Sequence, residues 1–386
     1  MKILQICAGF DVELLGGVER YTLDLSRALV RHGVDVAVAG LWRFGTPREK
    51  ASTRALEDAG IRTFSGAPKS QDAPLRNFAA AIAGLQSTLT GYCFDVIHSQ
   101  QEFGDFAAIA LQHTVHAHAL IRSIHNQPEW RARPLRRLLF TRIAAPFFFA
   151  LETGITDGIT AELATRATAQ LLRRRPITIH NAVELNRFAA KPPSRADARA
   201  ELGWPAERFI IGTVGRLSPQ KGLFDLLAAA AALRETMPDV QFRIVGAGEQ
   251  REALEREIAA HDMQDLVILD GARTAMHAVY AAMDCLASSS LWEGLPTVIL
   301  EAMLCGTPVV ATAIEGTTEL VRHEQTGLLT PVCDPQSLAA TLSALRAAPE
   351  LRARIIFAAR QLAKDYSIDR VVEQWLTAYA NATVQQ

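Results

Sequence analysis

No stretch of this 386-residue chain approaches the ~18 uncharged apolar residues that a membrane-spanning helix needs. Cysteine is scarce as well. The five residues Cys7, Cys93, Cys285, Cys305 and Cys333 are odd in number, scattered, and include no C-x-x-C pair. They fit a reducing compartment and neither a disulfide framework nor a zinc site. Net charge is nearly absent, at −1, so nothing draws the whole chain toward nucleic acid. The opening MKILQICAGF turns acidic too soon for a signal peptide and reads as one buried strand. A cytoplasmic protein is expected, with two domains at this length.

What is present is ordinary for a folded protein: 49% hydrophobic and 21% charged residues. Charge is unevenly spread. The first 180 residues hold 21 of the 40 basic and 16 of the 41 acidic residues, so the two halves lean in opposite directions. Short apolar runs alternate with helical periods from end to end. Strands are expected at Lys2–Cys7, Val34–Ala39, Asp95–His98, Ala119–Ile124 and Ile177–His180. Helices are expected at Val18–Arg31, near Leu75–Thr88, at Phe106–His116 and at Thr160–Leu172. The segment Glu184–Arg208, with its prolines and mixed charge, reads as a connector. The alternation then restarts with strand Phe209–Val214 and runs to a final amphipathic helix, Asp369–Ala380. This βαβ rhythm predicts α/β structure with two doubly wound parallel sheets, and a ligand cleft between their carboxyl edges.

Chemistry concentrates in the turns after strands. Gly16–Gly17–Val18–Glu19 leads into a helix N-terminus, where N–H groups and a partial positive charge favour an anion. The spacing is not that of a dinucleotide fingerprint, and a tight turn explains it equally well. Gly215–Arg216–Leu217–Ser218–Pro219–Gln220–Lys221–Gly222 sets two cations beside a second helix start, as a diphosphate needs; a solvated loop is the plainer alternative. Gly246–Ala247–Gly248–Glu249 is a further glycine turn that packing alone explains. Asp270–Gly271–Ala272 ends a strand where free backbone groups can read a base edge. In SLWEGLPTVILEAMLCGTPVVAT, Glu293 precedes a short helix, roughly Val298 to Leu304, and Glu301 lies one turn inside it. Two acids there suit a ligand rich in hydroxyls.

Five histidines, His98, His113, His116, His118 and His125, share one βαβ region, but their spacings match no metal motif. His125 ends a strand, where it either meets a substrate hydroxyl or serves structure. Arg131–Leu151 packs five arginines near four phenylalanines. It reads as a helix with a basic solvent face or as a surface for anionic lipid.

Taken together, GGVER, VGRLSPQKG, IHNAVELNRF and EGLPTVILEAMLCGTPVVAT resemble the retaining glycosyltransferases of family 4 (glycosyl transferases group 1), and the likeness spans essentially the whole chain. The resemblance implies the GT-B fold. Residues 1–183 would form an acceptor-binding Rossmann-like domain, and 184–364 a nucleotide-sugar-binding one. The C-terminal helix, 365–386, would cross back onto the first. It implies that Glu301 holds the ribose, that Glu293 with Gly294 and Leu295 positions the donor sugar, and that Gly215, Arg216 and Lys221 meet the diphosphate. Gly16 and Gly17 would approach donor phosphate or acceptor, and His125 would sit near the sugar ring. No metal or other cofactor is implied; the nucleotide sugar, UDP- or GDP-linked, is a co-substrate. The acceptor would be a sugar, a lipid-linked sugar or another small molecule, in polysaccharide or glycolipid biosynthesis. Residues 131–151 would face the inner leaflet, making the protein peripheral to the membrane. Three other readings remain at this point: a nucleotide-sugar epimerase of the same fold, a catalytically silent partner subunit, and a glycosidase using the two acids.

Overall fold

The computed structural model describes residues 1–70, 73–125, 137–189 and 192–384. It divides into two compact units, Met1–Ala182 with Ile368–Gln386, and Val183–Ser367.

The first unit is built on seven parallel strands: β1 (Lys2–Cys7), β2 (Asp35–Arg43), β3 (Arg62–Pro68), β4 (Val96–Ser99), β5 (Ala119–Ile124), β6 (Leu151–Gly154) and β7 (Ile177–Thr178). Their order is β3-β2-β1-β4-β5-β6-β7. β1 is buried from Ile3 to Cys7 and pairs in parallel with β2 and β4. Burial on both faces is why it reads as a continuous apolar run. The helix Gly17–Arg31 covers it, turning Tyr21, Leu25, Ala28 and Leu29 inward at helical spacing.

The second unit repeats the design with six strands: β8 (Phe209–Val214), β9 (Val240–Val245), β10 (Val267–Gly271), β11 (Cys285–Ser288), β12 (Val309–Thr312) and β13 (Leu328–Thr330). Their order is β10-β9-β8-β11-β12-β13. In each unit the winding reverses beside the first strand, between β1 and β4 and between β8 and β11. That switch point is where the loops at the carboxyl ends diverge and leave a crevice.

Several expectations are corrected. The helix expected at Phe106–His116 runs from Glu102 to Leu111, and His116 takes a left-handed turn at φ 47°. The helix expected at Thr160–Leu172 is two, Asp157–Ala164 and Ala167–Leu171. Between them Arg166 is extended and sends its guanidinium inward to Glu152 and the carbonyl of Thr141. Glu184–Arg208 is no connector but part of the second unit. Its Arg199 is buried and donates to Ala282 O (3.0 Å), Ala206 O (2.5 Å) and Asp284 Oδ2 (2.6 Å). Strands β3, β6 and β13 were not expected; β6 and β13 are only four and three residues long.

The C-terminal helix, Ile368–Val384, completes the first unit. Trp375 and Tyr379 are fully buried, and Trp375 Nε1 donates to the Tyr21 hydroxyl at 2.8 Å. Tyr379 Oη accepts from Gln5 Nε2 (3.0 Å) and lies 2.8 Å from His98 Nδ1. Burial lowers the His98 pKa, so the ring enters this network neutral.

Glu19, in the first turn of Gly17–Arg31, is 1% exposed and accepts from Gln101. Burial raises its carboxyl from 4.5 to about 7. Between those values the folded chain holds a proton that the unfolded chain has released. Stability therefore falls as pH rises through that window, by on the order of 3 kcal/mol in all. We predict that Glu19→Gln abolishes this slope. In urea unfolding the variant should gain on wild type as pH rises from 4.5 to about 7 and level off above it, and parallel pH profiles would contradict the raised carboxyl.

Candidate functional site

In the second unit the loops after β8 and β11 flank the switch point and are knitted together. Leu291 N donates to Gln220 O (2.8 Å), and Ser289 Oγ to Lys221 O (2.9 Å). Gly222, left-handed at φ +57°, faces the Ser289 carbonyl so closely that a Cβ would stand 2.1 Å from its oxygen. Only glycine fits both that conformation and that space. Side chains complete the joint. Lys221 Nζ pairs with Glu293 Oε1 at 2.5 Å, and Ser290 Oγ donates to the same oxygen at 2.7 Å. Gln220 Nε2 donates to Glu293 Oε2 at 3.1 Å. The Lys221 and Glu293 side chains are 17% and 8% exposed, so their attraction is little screened by solvent.

Neighbouring turns lean on the same edge. Leu217 N donates to Ala247 O, and a Cβ on Gly248 would meet the Leu217 backbone. Gly246–Ala247–Gly248 is thus a packing turn. Gly316 fits against the carbonyl of Gly294, holding the turn after Glu293. The Gly271 carbonyl accepts from Gly246 N (2.9 Å), which ties the end of β10 to the turn after β9. The helices Leu223–Leu233 and Thr297–Cys305 both begin at this edge, with Gly222 and Pro296 at their N-caps and no side-chain cap bond at either. Their partial positive charge faces whatever sits there.

Glu301 lies on Thr297–Cys305, 9% exposed, with Oε2 accepting from the Tyr280 hydroxyl at 2.6 Å. Leu295 is buried. Arg216 stands apart from this cluster: 63% exposed, it pairs with Glu249 at 3.4 Å. The loops of Lys221 and Glu293 follow neighbouring strands of one sheet, as their turns suggested, while Tyr280, Ser290 and Gln220 were not among the expected residues. Gln220 was visible inside the loop; Tyr280 lies 21 positions from its partner with no motif linking them.

In the first unit Gly16 caps Gly17–Arg31 at φ 111°, and a Cβ on Gly16 or Gly17 would meet nothing within 4 Å. These two glycines leave open space, unlike Gly222, Gly248 and Gly316 of the second unit. His125 follows β5, 6% exposed, with Nε2 2.9 Å from Gln100 Oε1 and its ring edge-on to Tyr21 at 5.7 Å. Burial lowers its pKa to about 4, which Asn181 partly offsets. Asn181 lies close enough for that effect, yet neither His125 Nδ1 nor Asn181 Oδ1 has a partner of hydrogen-bonding geometry. His125 is therefore a neutral, anchored ring. His98 is bound into the core, and His118 lies 3.8 Å from Asp95 at the surface. Among the described residues no group of three or more His, Cys, Asp or Glu is arranged for a metal ion.

Of the Arg/Phe segment, residues 131–136 lie outside the described residues. The remainder forms a π-helical stretch, Arg137–Ala144, continuing into Ala145–Phe148. Phe140 and Phe149 enter the core around the Arg122 guanidinium. Leu139, Ile143, Phe147 and Phe148 point outward, each 46–55% exposed. No described helix is long and apolar enough to cross a membrane.

Comparison with known proteins meets this geometry. Residues 194–362 match the family described as Glycosyl transferases group 1, and residues 15–187 match Glycosyltransferase Family 4. The chain is 30% identical to the D-inositol 3-phosphate glycosyltransferase of Geodermatophilus obscurus, over 95% of this chain and 85% of that one. It is 29% identical to the Salinispora arenicola protein of the same name, over 95% and 87%. Among solved structures, Anabaena HepE in complex with UDP and glucose superposes with a TM-score of 0.83 at 23% identity, covering 99% of this chain and 100% of that one. Sucrose-phosphate synthase from Thermosynechococcus elongatus gives 0.83 at 21%, with full coverage of both. Two parallel-sheet α/β units with these neighbours make the fold GT-B, and the chain belongs to the glycosyltransferases of group 1, family 4.

Proposed function

We propose that this glycosyltransferase moves a hexose from a nucleotide diphosphate sugar to an acceptor hydroxyl with retention at the anomeric carbon. The observation that carries the reading is the Lys221–Glu293 pair set between two helix N-termini at the switch point of the second unit. In this reading the bond between the anomeric carbon and the diphosphate oxygen breaks, and the acceptor oxygen bonds that carbon from the same face. The acceptor's proton passes to the departing phosphate oxygen. Charge grows on the diphosphate as it leaves, and cations already in place lower the barrier most.

Lys221 is fixed by Glu293 for that task. Arg216 is the second cation, and its exposed pair with Glu249 is worth at most about 1 kcal/mol, so turning toward a ligand costs little. With the chain's own charges supplying the neutralisation, the reading needs no metal, and turnover should survive chelation. Glu301 takes the ribose, and Glu293 with the Gly294–Leu295 backbone takes the donor sugar. Gly16, Gly17 and His125 serve the acceptor and sugar ring. The HepE complexes with UDP and with UDP-glucose support a uridine donor, and the relatives' names support a small hydroxylated acceptor. These relatives and the paired cations favour transfer over epimerase, glycosidase and silent-subunit readings.

Thermal shift with UDP, GDP and ADP should single out one base; a ligand at ~100 times its Kd stabilises by about 2.7 kcal/mol. Lys221→Ala should lower kcat on the order of a hundredfold, the loss expected for one preorganised donor, and Arg216→Ala, which removes a solvated cation that must turn toward the ligand, should lower it by less. Near-normal turnover in both folded variants would end the reading. Product NMR reports retention directly, and an inverted anomer would refute that part alone.

A partner reading rests on the outward Leu139, Ile143, Phe147 and Phe148, joined by Leu171 at 77% exposure. Arg142 and Arg174 border them: Arg142 O accepts from Thr168 Oγ1, and Arg174 Nε donates to Pro146 O. An apolar patch rimmed by arginine fits an anionic bilayer surface. Co-sedimentation should occur with vesicles containing phosphatidylserine, weaken with salt, and fail for Phe147→Ser/Phe148→Ser while turnover on a soluble acceptor persists. Unaltered sedimentation of that variant would remove the patch from the account.

A further inference from the structure

Tyr280 is wholly buried on the helix Met276–Ala282, and its hydroxyl donates to Glu301 Oε2 at 2.6 Å. That distance is in the range of a charge-assisted O–H···O⁻ bond. The tyrosine is itself held from two sides. Its carbonyl accepts from Thr307 Oγ1 at 2.7 Å, and its ring meets Phe188 edge-on with centroids 6.3 Å apart. Phe188 sits on the helix Leu185–Ala189, also in the second unit. A glutamate side chain has several rotatable bonds, and a buried ring that cannot shift restricts it far more than solvent would. Burial, and then the Glu301 charge, push the Tyr280 phenol well up, so it remains a donor wherever Glu301 is ionised. Cys305, beside the same carboxylate, is pushed up to about 12 by burial first and by Glu301 second, so it too stays protonated.

We infer that Tyr280 is a positioning residue: its hydroxyl fixes the Glu301 carboxylate for the nucleotide ribose and so sets how strongly the site distinguishes a ribose from a sugar lacking the 2′ and 3′ hydroxyls. This rests on the assignment of Glu301 to the ribose made above. A residue that only filled space would affect both kinds of nucleotide alike. A residue acting through Glu301 affects only the one with hydroxyls to grip.

The test takes whichever of UDP, GDP and ADP binds the wild-type chain most tightly, together with its 2′,3′-dideoxy analogue. Kd is measured for both on wild type, Tyr280→Phe, Glu301→Gln and the double variant. We expect Tyr280→Phe to weaken the ribonucleotide roughly tenfold, the value of a hydrogen bond to a charged group, and to leave the dideoxy analogue unchanged. In the Glu301→Gln background the same substitution should add nothing to the discrimination, and in turnover the donor KM should rise while kcat holds. Equal weakening of both nucleotides, or no change in their ratio, overturns the role of Tyr280. A wild-type chain that binds none of the three, or makes no distinction between ribose and dideoxyribose, instead overturns the assignment of Glu301. Should Tyr280→Phe not fold, 3-fluorotyrosine at that position, a stronger donor of nearly the same shape, should raise the ribose preference; an unchanged preference would refute the inference.

Discussion

The second unit depends on two loops being held against each other. β8 and β11 are neighbours only because the winding of the sheet reverses between them, and their following loops would ordinarily diverge. Here they are rejoined by the Leu291–Gln220 and Ser289–Lys221 bonds and by the contact of Gly222 with the Ser289 carbonyl. The Lys221–Glu293 pair then closes the joint at its tip. An ion pair this far from solvent gains little net stability, because desolvation consumes much of the attraction. What it secures is orientation. Glu293 is held in addition by Gln220 and Ser290, and the Lys221 carbonyl by Ser289, so the pair cannot easily rotate away. A site that must meet a diphosphate and a sugar together needs that rigidity before the ligand arrives.

The first unit solves a different problem. It closes its core with a helix, Ile368–Val384, drawn from the far end of the chain. Apolar burial holds the helix through Val371, Val372 and Ala378, but that attraction is non-directional. The polar atoms remove that freedom. Trp375 must find Tyr21, and Tyr379 must meet both Gln5 and His98, or buried donors are stranded at a cost of about 1–3 kcal/mol each. The network continues from His98 to Ser123 and Thr153, and from Gln5 through Gln100 to His125. The histidine ring thus inherits its position from contacts spread over four strands and the last helix.

This explains what could be read from the chain and what could not. Lys2–Cys7, Ala119–Ile124 and Phe209–Val214 emerge with the boundaries expected, because continuous apolar runs are local signals. The loops that carry Lys221 and Glu293 were visible too, since glycine and proline punctuate them. Short strands such as Leu328–Thr330 were not: three residues carry no period, and only pairing with β12 makes them a strand. Arg199 looked like one of several surface charges in a polar connector. Its burial is decided by Asp284, 85 positions away. Tyr280 is invisible for the same reason.

The two cations of the β8 loop show how position divides one chemical task. Lys221 follows Pro219 in a tight 3₁₀ turn that the neighbouring loop clasps from both sides, so its charge is available in one place only. Arg216 comes sooner after the strand, where nothing clasps it, and its side chain lies in solvent beside Glu249. A fixed charge stabilises the transition state without reorganisation, but it also holds product. A loosely paired, solvated charge adds attraction when the ligand is present and lets go at little cost afterwards. A site built with one of each can bind a diphosphate firmly during transfer and still release it.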